Sequence, residues 1–110
     1  RKYNYILIIR MSKTYIFEAI VSAVASETEI TREQILSHSK QGDIVEARGL
    51  LFYYLKKAGF YPSQIARMTN QSRQCVNCLQ VSFDARCQYS GNMMKRYVLQ
   101  LDKELAGYLL

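Results

Sequence analysis

The sequence predicts an all-α bundle of five to six helices, on three observations. Apolar residues recur at helical spacing through most of the chain. One proline and five glycines among 110 residues supply too few turns for a sandwich or barrel. Cap-type residues stand just ahead of several apolar stretches, where helices begin. With 49% hydrophobic residues one domain can enclose a core, and the 22% charged fraction is ordinary for a folded chain.

Residues 1–12 differ from the rest and read as an N-terminal arm or short extension, with 13–110 as the folded domain. The apolar run at 5–9 is too short to span a bilayer and leads into no small-residue cleavage site. The first helix covers 13–27, with Ile16, Phe17, Ile20, Val21 and Val24 on one stripe. Thr31 and Gln34 form a capping box that opens a short helix ending near Ser37. Residues 38–42 are a polar loop. Asp43 and Glu46 give a second cap signature before a helix over 44–58, which is apolar most of the way round, as a central helix must be. Lys56 and Lys57 suit its C-terminal dipole, and Gly59 is a natural stop. Pro62 fits the first turn of a short helix through Met68. Thr69-Asn70-Gln71 breaks it. Ser72 caps a longer helix, of two dozen residues at most, with Val76, Leu79, Phe83 and Cys87 inward. Ser90-Gly91-Asn92 interrupts, and 93–106 forms the last helix with Met94, Val98, Leu101 and Leu105 in register. Leu101, Leu105, Leu109 and Leu110 exceed what one face needs, so this last helix either packs on the core or forms a homodimer contact.

Net charge is +6, unevenly spread. Residues 61–90 carry Arg67, Arg73 and Arg86 against Asp84 alone, a balance that suits nucleic acid. The same stretch has the spacing of a helix-turn-helix over 61–81. Ile65, Val76 and Leu79 are apolar where two helices must pack, and Ala66 is small where they cross. Asn70 sits where the turn needs a left-handed residue, and Ser72 can cap the second helix. On that geometry Arg73, Gln74 and Asn77 face away from Val76 and Leu79 and read base edges in the major groove. Arg67 and Ser72 are placed for phosphate. A sequence-reading double-stranded DNA-binding module is expected.

From about residue 15 to 86 the chain resembles the C-terminal DNA-binding domain of the bacterial replication initiator DnaA. An opening helix over 15–26 precedes Ile30-Thr31-Arg32-Glu33-Gln34-Ile35-Leu36-Ser37, similar to the family's short second helix. A loop with Lys40 follows. Ile44-Val45-Glu46-Ala47-Arg48, with Leu50-Leu51-Phe52-Tyr53-Tyr54-Leu55, is similar to the family's V-x-A-R-x-x-x-x-Y-L central helix. Ile65-Ala66 stands where the family has I-G. The resemblance implies a Trp-repressor-like fold, Lys40 beside the DNA backbone, and Arg48 supporting or touching phosphate. It also implies a reader without the motor, since no G-x-x-x-x-G-K-[ST] loop is present.

Other constellations carry less. Cys75-x-x-Cys78 lacks the preceding strand of a thioredoxin-like motif. Adding Cys87 and His38 makes four zinc-type ligands without the usual spacing, so no metal and no cofactor are expected. His38 stands in a polar loop without a partner nucleophile, and the carboxylates at Glu27, Glu29 and Glu33 read as a solvated face. Tyr53, Tyr54 and Tyr61 read as core and rim. No enzyme, small-molecule substrate or membrane partner is expected, and the odd cysteine count with no signal segment suits a reducing, cytoplasmic, nucleoid-associated setting. The rival reading is a helical protein-interaction adaptor that has lost DNA readout, favoured by the acids of the first two helices.

Overall fold

The computed structural model describes residues 12–89 and 92–109, so the arm expected at 1–12 lies outside the described residues except for Ser12, as do Ser90, Gly91 and Leu110. The described residues hold seven helices and no strand. They are α1 (Lys13–Thr28), α2 (Arg32–Ile35), α3 (Gly42–Lys57), α4 (Pro62–Thr69), α5 (Arg73–Val81), α6 (Phe83–Tyr89) and α7 (Asn92–Glu104). None is long and apolar enough to cross a membrane.

α3 is the centre, and α1, α2, α4, α5 and α6 all pack against it. Its Leu50, Leu51, Phe52, Tyr54 and Leu55 are fully buried, which explains why the segment is apolar nearly all round. α1 turns Ile16, Phe17, Ile20, Val21 and Val24 inward, and α7 closes the bundle against α1 and α6 through Met94 and Leu101, with Leu105 buried just past its end. The Tyr54 hydroxyl donates to Asp102 Oδ1 at 2.8 Å and lies 3.0 Å from the Val98 carbonyl, which ties α7 to the centre. Of the three tyrosines expected at core and rim, Tyr54 is buried, Tyr53 half-buried and Tyr61 exposed.

Most boundaries follow the local chemistry. The Thr31–Gln34 capping box forms in full, and Gly59 takes a left-handed φ of 97° just past α3. Two features differ from expectation. α3 begins at Gly42 behind Gln41, so Asp43 is no cap. Its carboxylate sits in the first turn, where it meets the helix dipole and accepts from Ile44 N at 2.9 Å. The long helix expected after Ser72 divides at Ser82, which accounts for the seventh helix. The Ser82 hydroxyl donates back to the Cys78 carbonyl at 2.8 Å, a bond that competes with straight helix. The bend lets Phe83 turn inward and stack on Tyr53, ring centroids 4.1 Å apart. Of the four leucines noted near the end of the chain, Leu110 lies outside the described residues. Leu101 and Leu105 are buried, and Leu109 packs against the same core.

Candidate nucleic-acid interface

The segment between α4 and α5 is built by short-range bonds. Pro62 starts α4 where no amide partner is needed, and Gln64 Oε1 reaches back to accept from Tyr61 N at 2.9 Å. α4 ends at Asn70, left-handed at φ 56°, and Gln71 N donates to the Ala66 carbonyl at 3.0 Å. Ser72 then caps α5 by accepting from Cys75 N at 3.0 Å. Ile65, Ala66, Val76 and Leu79 are buried where the two helices meet. Thr69 is also buried, its hydroxyl donating to the Ile65 carbonyl at 2.6 Å.

This packing sorts the side chains of α5 by face. Arg73, Gln74 and Asn77 are all exposed, while Val76 and Leu79 point inward. Ser72 and, on the last turn of α4, Arg67 are exposed beside them. Lys40 is exposed in the loop before α3. The three base-reading candidates and three of the four phosphate candidates therefore reach solvent.

The fourth, Arg48, does not. It is 4% exposed and its guanidinium is spent inside the fold. Nε donates to the Ile35 carbonyl at 2.9 Å, Nη2 to Ser37 at 2.7 Å and Nη1 to Ser39 at 3.0 Å. Those carbonyls belong to the end of α2 and the loop after it, where no helix continues to satisfy them. Burial pulls the guanidinium below its ordinary pKa, and the nearby Cys75 thiol acts in the opposite sense. Arg48 shapes the loop that carries Lys40. Of the two roles expected of it, supporting or touching phosphate, this geometry favours support, since the guanidinium already meets three carbonyls.

Two further residues join this loop to the turn. His38 Nε2 donates to the Asn70 carbonyl at 2.8 Å, and Gln71 Nε2 donates to the Ser37 carbonyl at 2.8 Å. Sequence reading missed both roles, treating His38 as an ordinary loop residue and Gln71 as part of a break. Neither spacing nor periodicity signals a bond across more than 30 residues. Beside the loop, a cleft of about 430 Å³ opens between Lys40, Ser72, Gln74 and Arg86, with Arg48 and Cys75 also on its wall. The three cysteines are free thiols, Cys78 exposed and the others half-buried. Among the described residues no three His, Cys, Asp or Glu side chains gather as a metal site would require.

Together these features define an all-α globule that presents a polar, cation-flanked helix face across a tight turn. Comparison with protein families, with characterised proteins and with solved structures finds no match to this chain.

Proposed function

We propose that the chain is a sequence-reading double-stranded DNA-binding module, in which α4 and α5 form a Trp-repressor-like helix-turn-helix. One observation carries the reading. Arg73, Gln74 and Asn77 project to solvent from a helix whose opposite face is locked into the core by Val76 and Leu79. Such a helix can enter a major groove without rearrangement. Arg73 suits guanine, and Gln74 or Asn77 suits adenine, at about 1–3 kcal/mol for each good bidentate pair. Lys40, Arg67 and Ser72 supply backbone contacts that orient the helix without reading sequence. The module works by binding alone, needing no cofactor or small-molecule substrate. The likeness of its central helix to that of the replication initiator favours replication or transcription control as the setting.

Selection from random duplexes followed by affinity measurements over a salt series tests the proposal. Log-affinity should fall with log-salt, by about 0.9 per phosphate contacted. Arg73→Ala should relax preference at one position of the selected site, whereas Arg67→Ala should weaken all duplexes alike. Equal losses from both variants on every sequence would remove the division of roles. Failure to enrich or bind any duplex would remove the reading and favour a protein partner for the same face.

A further inference from the structure

We infer that the cleft beside α5 is a seat for one backbone phosphodiester of the bound duplex, and that Arg86 on α6 is its clamp. The inference rests on the DNA-binding reading and adds a contact from outside the two-helix unit. Lys40, Arg48 and Arg86 all line this cleft, and among the described residues no carboxylate does. Ser72, the cap of α5, and Gln74 in its first turn bring hydroxyl and amide donors to the end where the helix dipole is positive. The cleft therefore collects donors and positive charge from one loop and three helices at one place.

Arg86 is held for this task by the bend that divides α5 from α6. The Ser82 hydroxyl, anchored on the Cys78 carbonyl at 2.8 Å, accepts from Arg86 Nε at 3.1 Å. That bond fixes the stem of the guanidinium and engages neither terminal nitrogen. Among the described residues neither has a hydrogen-bond partner, so both can meet two oxygens of one phosphate, the fork geometry that arginine offers and lysine does not. Arg86 also lines the neighbouring depression with Asn77, so it stands between the base-reading face and the cleft. Arg48 acts differently here. Its nitrogens are engaged with loop carbonyls, and it contributes positive charge to the cleft wall while holding Lys40's loop in place.

Cys78 provides an internal reporter, being exposed and lining the same cleft. The full chain is mixed with a selected duplex, and maleimide modification of Cys78 is followed by peptide mass spectrometry. Duplex at saturating concentration should slow that modification at least fivefold, whereas millimolar inorganic phosphate should not. In parallel, Arg86→Gln should bind every duplex about tenfold more weakly, with a log–log salt slope shallower by about 0.9. Arg86→Lys should restore the slope and part of the affinity, and unchanged melting temperatures for both variants establish that the fold is intact. The seat is refuted if wild-type chain binds duplex while Cys78 modification keeps its rate, or while Arg86→Gln keeps the full slope. Protection by phosphate alone would instead mark a small-anion site and equally refute a duplex seat. A wild-type chain that binds no duplex removes the DNA reading itself, and the seat with it.

Discussion

Arg48→Ala separates a loop-shaping role from a direct DNA contact. The substitution removes three charge-assisted hydrogen bonds, to the carbonyls of Ile35, Ser37 and Ser39. Each such bond is worth about 1.5–3 kcal/mol when its partner is left dry. The Ile35 bond is buried, so its full value is lost. The Ser37 and Ser39 bonds are only part-buried, so water re-solvates those carbonyls and recovers much of their share. The net loss is about 3 kcal/mol, which for a domain of this size lowers the melting temperature by roughly 12 °C. Urea unfolding followed by far-ultraviolet circular dichroism measures it directly. Arg48→Lys should recover less than half, because an ammonium cannot meet three carbonyls spread over five residues. A melting temperature within 2 °C of wild type, accompanied by a large loss of duplex affinity and a shallower salt slope, would refute the loop role and restore Arg48 as a phosphate contact.

Two further substitutions probe the scaffold. Burial first, and then the hydrogen bond to Asp102, raises the Tyr54 hydroxyl well above its ordinary pKa of 10.0. The folded state thus holds this proton more tightly than the unfolded chain does. The stabilisation is complete below pH 10 and is lost as pH rises further, at up to about 1.4 kcal/mol per unit. Tyr54→Phe should therefore be less stable at pH 7 by about 1–2 kcal/mol but show a flatter decline between pH 10 and 11.5 in urea titrations; parallel declines would contradict the assignment. Gly49 lies inside α3, and a Cβ placed there meets nothing within 4 Å. Gly49→Ala should raise stability by about 0.5–1 kcal/mol, and a drop in the urea midpoint would show that the space is not free.

What the sequence reveals and what it conceals divide along a physical line. Periodicity reports which face of a helix meets the core, so Val76 and Leu79 identify the inner face of α5, and Arg73, Gln74 and Asn77 the outer one. Caps report local chemistry, so Thr31, Ser72 and Asn70 fall where their side chains and φ angles place the helix ends. Arg48 shows the limit. Its position on the central helix is readable, but its burial depends on the path of a loop 9 to 13 residues earlier. Asp43 shows another limit, since its carboxylate is favourable at the cap and in the first turn alike, and pattern alone does not distinguish the two. Ser82 sits in an unbroken helical pattern and bends it through one hydroxyl.

The contacts hidden from sequence reading share a consequence. The loop bearing Lys40 is fastened to α3 by Arg48, and to the α4–α5 turn by His38 and Gln71. The arginine and glutamine bonds converge on one acceptor, the Ser37 carbonyl, so displacing the loop breaks both together. Lys40 is therefore tied to the same scaffold as Arg73, so the spacing between the proposed backbone contact and the proposed base contact is set before any ligand arrives. In the proposed complex that arrangement removes the entropy of ordering a loop, a cost that a free lysine-bearing loop would pay on binding. It also makes specificity sensitive to residues that need not touch DNA, because a shift of the turn moves the base-reading helix relative to the phosphate contacts that register it.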